Sequence, residues 1–316
     1  MLPKSAKIFL AGHNGMVGSS IYNELLNQGY KNIVTASKEK LNLLDQKKVE
    51  LFLKRIKPKV TIIAAAKVGG ILANNSFKAN FIYENTMIQS NLIHSSYLAG
   101  VKNLIFLGSS CIYPKNAPQP MKEVYLLTGK LEGTNDAYSI AKISGIKMCE
   151  AYSKQYNLNY KSLMPANMFG ANDNYDLKSS HFFPALIKKI HLAKINKKRS
   201  ITLWGNGQAM RELLYVGDIA NACVFFMGKK IKESFVNIGS GKEKKIADYA
   251  KFIMKKLGVD LKIKYDLSKP NGMKRKILNL DTAKKYGWSA KTPLDTAFNL
   301  AYQSFLISLN VKNKNR

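Results

Sequence analysis

Acidic residues are scarce in this chain. Only 20 aspartates and glutamates stand against 50 lysines and arginines, which gives a formal charge of +30 over 316 residues. So one-sided a balance fits either an anionic partner or lysine-rich usage on a solvated surface. The lysines are spread along the chain ("KIKPK", "KKIHLAKINKKR", "GKEKKIADYAKFIMKK") rather than gathered into one arm. No RNP motif, zinc-finger spacing or basic-zipper heptad accompanies them, so we expect surface bias plus an anionic small substrate, and no nucleic acid. Cysteine is equally sparse. Cys111, Cys149 and Cys223 are odd in number, widely spaced and without a CxxC pair. That argues against a disulfide framework and a thiolate zinc site, and no metal is expected. Long apolar runs are missing too. The amino-terminal segment "KIFLAG" enters a glycine turn rather than a cleavage site, so a cytoplasmic protein with no membrane partner is expected.

What is present is a regular alternation. "KIFLAG", "NIVTAS", "KVTIIAAA", "NLIFLGSS" and "YKSLMPANMFG" read as strands. Between them lie the helix-period segments "MVGSSIYNELLNQGY", "KKVELFLKRI", "NFIYENTMIQSNLIHSSYLAG" and "NDAYSIAKISGIKMCEAYSKQYN". Strands alternating with helices predict an α/β fold of Rossmann type, a doubly wound parallel sheet with right-handed crossovers. Beyond Gly170 loops such as "GANDNYDLKSS" and "SKPNGMKRK" interrupt the rhythm. We therefore expect a cofactor domain over residues 1–170, with a helix near 215–228 packing back on it. A smaller C-terminal α/β substrate lobe is expected over 171–311 and a disordered tail over 312–316.

"GHNGMVG" places Gly12, Gly15 and Gly18 at three-residue spacing, after a strand and at the opening of a helix. Such glycines permit a tight turn, close approach of backbone to a pyrophosphate and close helix–strand packing, with the helix N-terminus facing the phosphates. At the end of the second strand, "TASKEKLNLLD" offers Lys38 where a 2′-phosphate would need a cation. Asn14 adds a donor. NADP is expected, although Glu39 could itself serve a 2′-hydroxyl; Asp45 is placed near the adenine edge.

"AYSIAK" sets Tyr138 and Lys142 at i and i+4, on one face of a helix, where an ammonium would lower the phenol's pKa. Ser109 ends the fourth strand, where ligands of such sheets bind. Nearby Cys111, in "GSSCIYP", is open to four readings: packing, half a disulfide, a metal ligand or a catalytic thiol.

The trio Ser109, Tyr138 and Lys142, with the GxxGxxG loop, resembles the extended short-chain dehydrogenase/reductase family. More specifically, "KVGGI", "GSSCIYP", "MPANMFG", "SHFFPAL", "LWGNG..MRE" and "SKPNG..RK" resemble the GDP-L-fucose synthases, and the likeness runs almost the whole length. That resemblance implies C3/C5 epimerisation of a 4-keto sugar followed by NADPH-dependent reduction at C4. By it, Cys111 is the base and His181 the acid of the epimerisation. Tyr138 would protonate the carbonyl oxygen, Ser109 would hold it, and Lys142 would bind the nicotinamide ribose.

Further roles carry over the same way. Met16, Val17, Leu43 and Ala65 would line the cofactor, with Leu107, Gly108 and Ser110 at the end of the fourth strand. Pro165, Ala166, Asn167 and Met168 would face its nicotinamide side, together with His181. Lys189, Trp204 and Arg211 would hold the GDP-sugar, with Asn271 and Lys276 beside them. This sequence departs from the common pattern in having Asn14, Lys38 and Lys189 where arginine is frequent, and Asn271 where an acid is frequent. His94 and His191 read as helix-surface residues. A homodimer through the helices after the third and fourth strands is the family habit.

Overall fold

A computed structural model describes residues 2–314 apart from Lys178, Pro270 and Asn271. Its main sheet has six strands: β1 (Ile8–Ala11), β2 (Ile33–Val34), β3 (Val60–Ile63), β4 (Asn103–Leu107), β5 (Asn159–Pro165) and β9 (Phe235–Ile238). They pair in the order β2-β1-β3-β4-β5-β9, and every pairing is parallel. Every residue of β1, β3 and β9 is buried, as a sheet covered on both faces requires. The cover comes from α1 (Met16–Asn27), α2 (Gln46–Ile56), α4 (Lys78–Leu98), α5 (Asp136–Tyr156) and α7 (Val216–Phe226), while α3 (Ile71–Ser76) is a short, largely exposed turn of helix before α4. The chain leaves β1 toward β2 on one side and then crosses to β3 on the other. A crevice therefore opens above the carboxyl ends of β1 and β3.

A second core forms around Phe169, Phe183, Ile187, Tyr249, Phe298 and Phe305. It is built by β6 (Asn167–Phe169), α6 (Phe182–Ile195), β7 (Ser200–Trp204), β8 (Met210–Tyr215), β10 (Glu243–Lys245), α8 (Ile246–Leu257), β11 (Lys262–Asp266), β12 (Arg275–Lys276) and α10 (Leu294–Lys314). Strand β8 is its hub. β10 runs antiparallel beside it, and β12 and β6 run parallel beside it.

The chain crosses between the cores more than once. Val216, Ile219 and Cys223 of α7 are buried in the first core, and so are Ala283 of α9 (Asp281–Lys285) and Trp288. A division at residue 170 does not anticipate the return of β9 and α9. With four and five residues, they are too short to show a strand or helix period. At the carboxyl end α10 continues to Lys314, into the stretch expected as a tail; residues 315–316 lie outside the described residues.

Candidate active site

The glycine loop is built by exclusion. A Cβ on Gly12, whose φ is +90°, would stand 2.6 Å from the Ala65 amide nitrogen, and one on Gly18 would stand 1.9 Å from the Gly12 carbonyl oxygen. A Cβ on Gly15 would meet only the Gly12 oxygen, at an ordinary 3.6 Å. Two glycines are thus required by packing, and the third keeps the exposed face of the loop open. Gly15 is the N-cap of α1 and offers no side chain to its free N–H groups. This cradle fits a pyrophosphate. Met16, Val17, Leu43 and Ala65 pack from around it onto the first core. Asn14, in the loop, and Lys38, beyond β2, are both exposed, with Glu39 beside Lys38. Asp45 is engaged elsewhere, since its carboxylate caps α2, accepting from the Lys48 N–H at 3.0 Å.

Beyond β4 the chain makes one tight turn, Ser110–Ile112, capped by Ser109, whose hydroxyl accepts from the Cys111 N–H at 3.2 Å. Gly108 lets the strand end lie against Met164, whose sulfur would be 2.3 Å from a Cβ there. Helix α5 packs on this turn, and Ser139 Oγ donates to the Cys111 carbonyl at 2.9 Å. Tyr138 and Lys142 share the face of α5 that looks at it. The Lys142 ammonium, 4% exposed, donates to the Leu107 carbonyl at 2.9 Å and lies 5.8 Å from the Tyr138 ring. Burial pushes Lys142 down to about 7. The Tyr138 phenol is not lowered as its spacing from Lys142 suggested. Burial raises it, the Cys111 charge raises it further, and a hydrogen bond with Ser109 offsets only part. The reason is geometric, since the ammonium is spent on a backbone carbonyl rather than turned to the phenol.

Cys111 is half-buried and has a partner that the sequence reading assigned to the sugar. Lys276 on β12, 8% exposed, points its ammonium at the sulfur, with Nζ and Sγ 3.1 Å apart. Burial alone would raise the thiol. The charge of Lys276, bonds with Ser109 and Lys276, and the charge of Arg211 together outweigh it and hold the thiol below its ordinary value.

His181 stands at the N-cap of α6, exposed to the cleft. The protein around it and the Lys276 charge push its imidazole downward, and water at the exposed ring screens both effects. The turn that carries it is fixed by the "KVGGI" stretch. Gly70 N–H donates to the Ser179 carbonyl at 2.9 Å, and a Cβ on Gly70 would meet the Ser180 oxygen at 2.6 Å. That stretch is held in turn on α4. Lys67 pairs with Glu84, and the Lys67 backbone exchanges hydrogen bonds with the Asn85 amide.

The described residues that the resemblance gives to the GDP-sugar lie on the second core. Arg211 is 9% exposed and donates to its neighbour's carbonyl, Met210 O, at 2.8 Å. Trp204 ends β7 with 40% of its surface open, and the ammonium groups of Lys189 and Lys269 stand 5.8 Å and 6.0 Å from its ring. Pro165 and Ala166 are buried at the end of β5; Asn167 Nδ2 donates to the Glu212 carbonyl at 3.0 Å, and Met168 packs on the first core. Asn271 lies outside the described residues.

Two structural residues went unread. Glu212 is fully buried, and its carboxylate accepts from Gly241 N–H at 2.7 Å and Leu278 N–H at 2.9 Å, tying together the loops beside Arg211 and Lys276. A carboxylate inside the strand run "MRELLY" was the available signal. Asn237 on β9 bonds Tyr113, Met121 and Asn279. His191 is buried rather than on the helix surface, because α10 covers that side of α6; its Nδ1 is 2.8 Å from the Tyr302 hydroxyl.

The chain belongs to the NAD dependent epimerase/dehydratase family, whose profile matches residues 8–239. Within it the chain groups with the GDP-L-fucose synthases. GDP-L-fucose synthase 1 of Arabidopsis thaliana is 46% identical over 97% of this chain and 95% of that protein. GDP-L-fucose synthase of Escherichia coli K12 is 42% identical over 95% of this chain and 96% of that protein. Among solved structures, MlghC, a GDP-mannoheptose C4 reductase from Campylobacter jejuni with NADP bound, is 32% identical and superposes with a TM-score of 0.87 over 96% of this chain and 99% of that one.

Proposed function

We propose that the protein is an NADPH-dependent enzyme that converts GDP-4-keto-6-deoxy-D-mannose to GDP-L-fucose, inverting C3 and C5 and then reducing C4. The observation that carries this reading is that Cys111 and Tyr138 meet at Ser109 at the end of β4, where the Ser109 hydroxyl accepts from the Cys111 N–H at 3.2 Å and bonds the phenol. A plain ketone reductase has no use for the thiol. An epimerase does, because protons next to a ketone can be removed when the enolate oxygen is stabilised.

In this reading Cys111, as thiolate, takes the proton from the carbon next to the ketone, and the electron pair moves onto the carbonyl oxygen. Ser109 and Tyr138 hold that oxygen. His181 returns a proton from the opposite face, and its lowered basicity makes the protonated ring a better donor. NADPH, held at Gly12–Gly18 with Lys38 and Asn14 toward its 2′-phosphate, supplies a hydride to C4 when bound. Tyr138 then gives its proton to the C4 oxygen, a role that suits a phenol kept neutral by burial. Lys142 serves the cofactor ribose. Lys189, Trp204 and Arg211 receive the GDP moiety, and the positive charge of the two cations matches a diphosphate. In this reading the first core, with α7, β9 and α9 returning to it, forms the cofactor part, and the second core carries the sugar-nucleotide part.

Protein mixed with NADPH and GDP-4-keto-6-deoxymannose should consume NADPH, and product NMR should report inverted C3 and C5 with a reduced C4. In deuterated water, Cys111→Ser should lose label uptake at both carbons. Uptake that persists in this variant would remove Cys111 from its role, and reduction without inversion would make the protein a C4 reductase only.

A homodimer through α4 and α5 belongs to the same proposal. Tyr83 on α4 and Ile140 on α5 are 60% and 45% exposed, and apolar surface there suits a second copy. Tyr83→Asp with Ile140→Asp should shift the sedimentation coefficient to that of a monomer. Among the described residues no helix is long and apolar enough to cross a membrane.

A further inference from the structure

Besides its own turn, three elements bring titratable groups within electrostatic reach of the Cys111 sulfur, and one of them touches it. Lys276 comes from β12, Arg211 from β8 and Tyr138 from α5, with Ser109 on the turn itself. Two are cations and none is a carboxylate. The buried acid next to Arg211 on β8, Glu212, is committed to the N–H groups of Gly241 and Leu278. Among the described residues no carboxylate pairs with Lys276 either. An ammonium that is 8% exposed has lost most of its water, and a neutral thiol is a weak acceptor to replace it. A thiolate is a strong one. The register fixes the approach, because Lys276 pairs with Arg211 across the β12–β8 ladder and β8 is anchored through Glu212.

We propose that Lys276 is a positioning residue for the epimerisation, its ammonium holding Cys111 as the thiolate that accepts the sugar proton. The proposal rests on the reading of Cys111 as the base. It moves Lys276 from the sugar nucleotide, where the family resemblance put it, to the thiol. The thiol's own proton leaves to solvent before substrate binds, so each turnover starts from the ammonium–thiolate pair. The same charge opposes a proton on His181, so one lysine pushes base and acid alike toward their deprotonated forms.

The test uses the free protein. Iodoacetamide reads Cys111 alone, because Cys149 and Cys223 are 0% exposed and burial raises both thiols. The alkylation rate is followed against pH in the parent, Lys276→Met and Lys276→Arg, with circular dichroism checking the fold. Removing the cation should slow alkylation at pH 7 by about tenfold and move the rise to higher pH, with Arg keeping most of the parent profile. A Met profile that superimposes on the parent's would overturn the proposal. Should Lys276→Met fail to fold, the parent itself decides. Its ultraviolet thiolate absorbance at pH 7, minus that of Cys111→Ser, should be present, and its absence overturns the assignment. Label uptake surviving in Cys111→Ser would instead sink the underlying reading of the base while leaving the ion pair standing.

Discussion

The Tyr113 hydroxyl donates a 2.6 Å hydrogen bond to Asn237 Oδ1, across 124 residues of sequence. Tyr113 closes the turn that carries Ser109 and Cys111, and Asn237 is the buried centre of β9. Through its amide Asn237 also donates to the carbonyls of Met121 and Asn279, at 3.0 Å and 3.2 Å. One amide therefore fixes the thiol-bearing turn, the segment after it and the chain that leads out of β12.

Tyr113→Phe should leave Asn237 Oδ1 buried without a donor, at a cost of about 1–3 kcal/mol. Urea unfolding should show that loss as a lower midpoint with an unchanged slope. Label uptake at C3 and C5 should fall as well, because the turn loses its tether. A midpoint equal to the parent's would mean that the bond contributes nothing.

Gly15 and Gly18 should separate binding from folding. Gly18→Ala forces a methyl to within 1.9 Å of the Gly12 carbonyl oxygen, a contact that only backbone movement relieves. It should destabilise by about 3 kcal/mol or more and yield little soluble protein. Gly15→Ala meets only the ordinary 3.6 Å contact, so the protein should fold with its parent melting temperature. Its methyl projects at the open side of the loop, so NADPH titration by fluorescence should show weaker binding. Equal NADPH affinity in Gly15→Ala would argue against this loop as the phosphate cradle.

Lys161 gives a pH test of the first core. It is 1% exposed, its ammonium donates to Phe226 O at 3.1 Å and to Lys229 O, and burial pushes it down to about 7. In the unfolded chain a lysine titrates near ~10.4. Between those values the unfolded chain keeps a proton that the folded chain has released, so this group makes stability rise with pH from about 7 to about 10. Lys161→Met should flatten that rise. The check is the difference in urea midpoint between variant and parent at pH 7 and pH 9. Lys142, also near 7, titrates the same way and remains in both proteins, so the difference isolates Lys161. An unchanged difference at the two pH values would show that Lys161 is not depressed.

The parts that were legible in sequence are those that local rules govern. Buried strands such as "VTII" carry their own apolar run, and the spacing of Gly12, Gly15 and Gly18 reflects sterics within one turn. Tyr138 and Lys142 lie one helical turn apart, so their shared face could be read directly. What one position does to the next element could not. The pairing of Cys111 with Lys276 spans 165 residues and depends on β12, a strand of two residues inside a turn-rich stretch. The direction of the Tyr138 shift was misread because spacing says nothing of burial or of where an ammonium finds its acceptor. His191 looked like surface for the same reason: α10, which covers it, arrives a hundred residues later.

Trp204 tests the proposed place of the GDP moiety. Its ring is 40% open and has two ammonium groups near it, Lys189 and Lys269, at 5.8 Å and 6.0 Å. Such a site offers a flat face to a nucleobase and cations to the phosphates attached to it. Stacking of this kind is worth about 1–3 kcal/mol per base. Trp204→Ala should therefore raise KM for the sugar nucleotide by about tenfold or more, with kcat changed far less, since stacking holds substrate and transition state alike. Trp204→Phe should recover much of the loss. Because an open side chain contributes little to folding, the melting temperature should stay close to the parent's. A fall in kcat at unchanged KM would place Trp204 at the chemistry instead. The base-binding face would then have to be sought elsewhere on the second lobe.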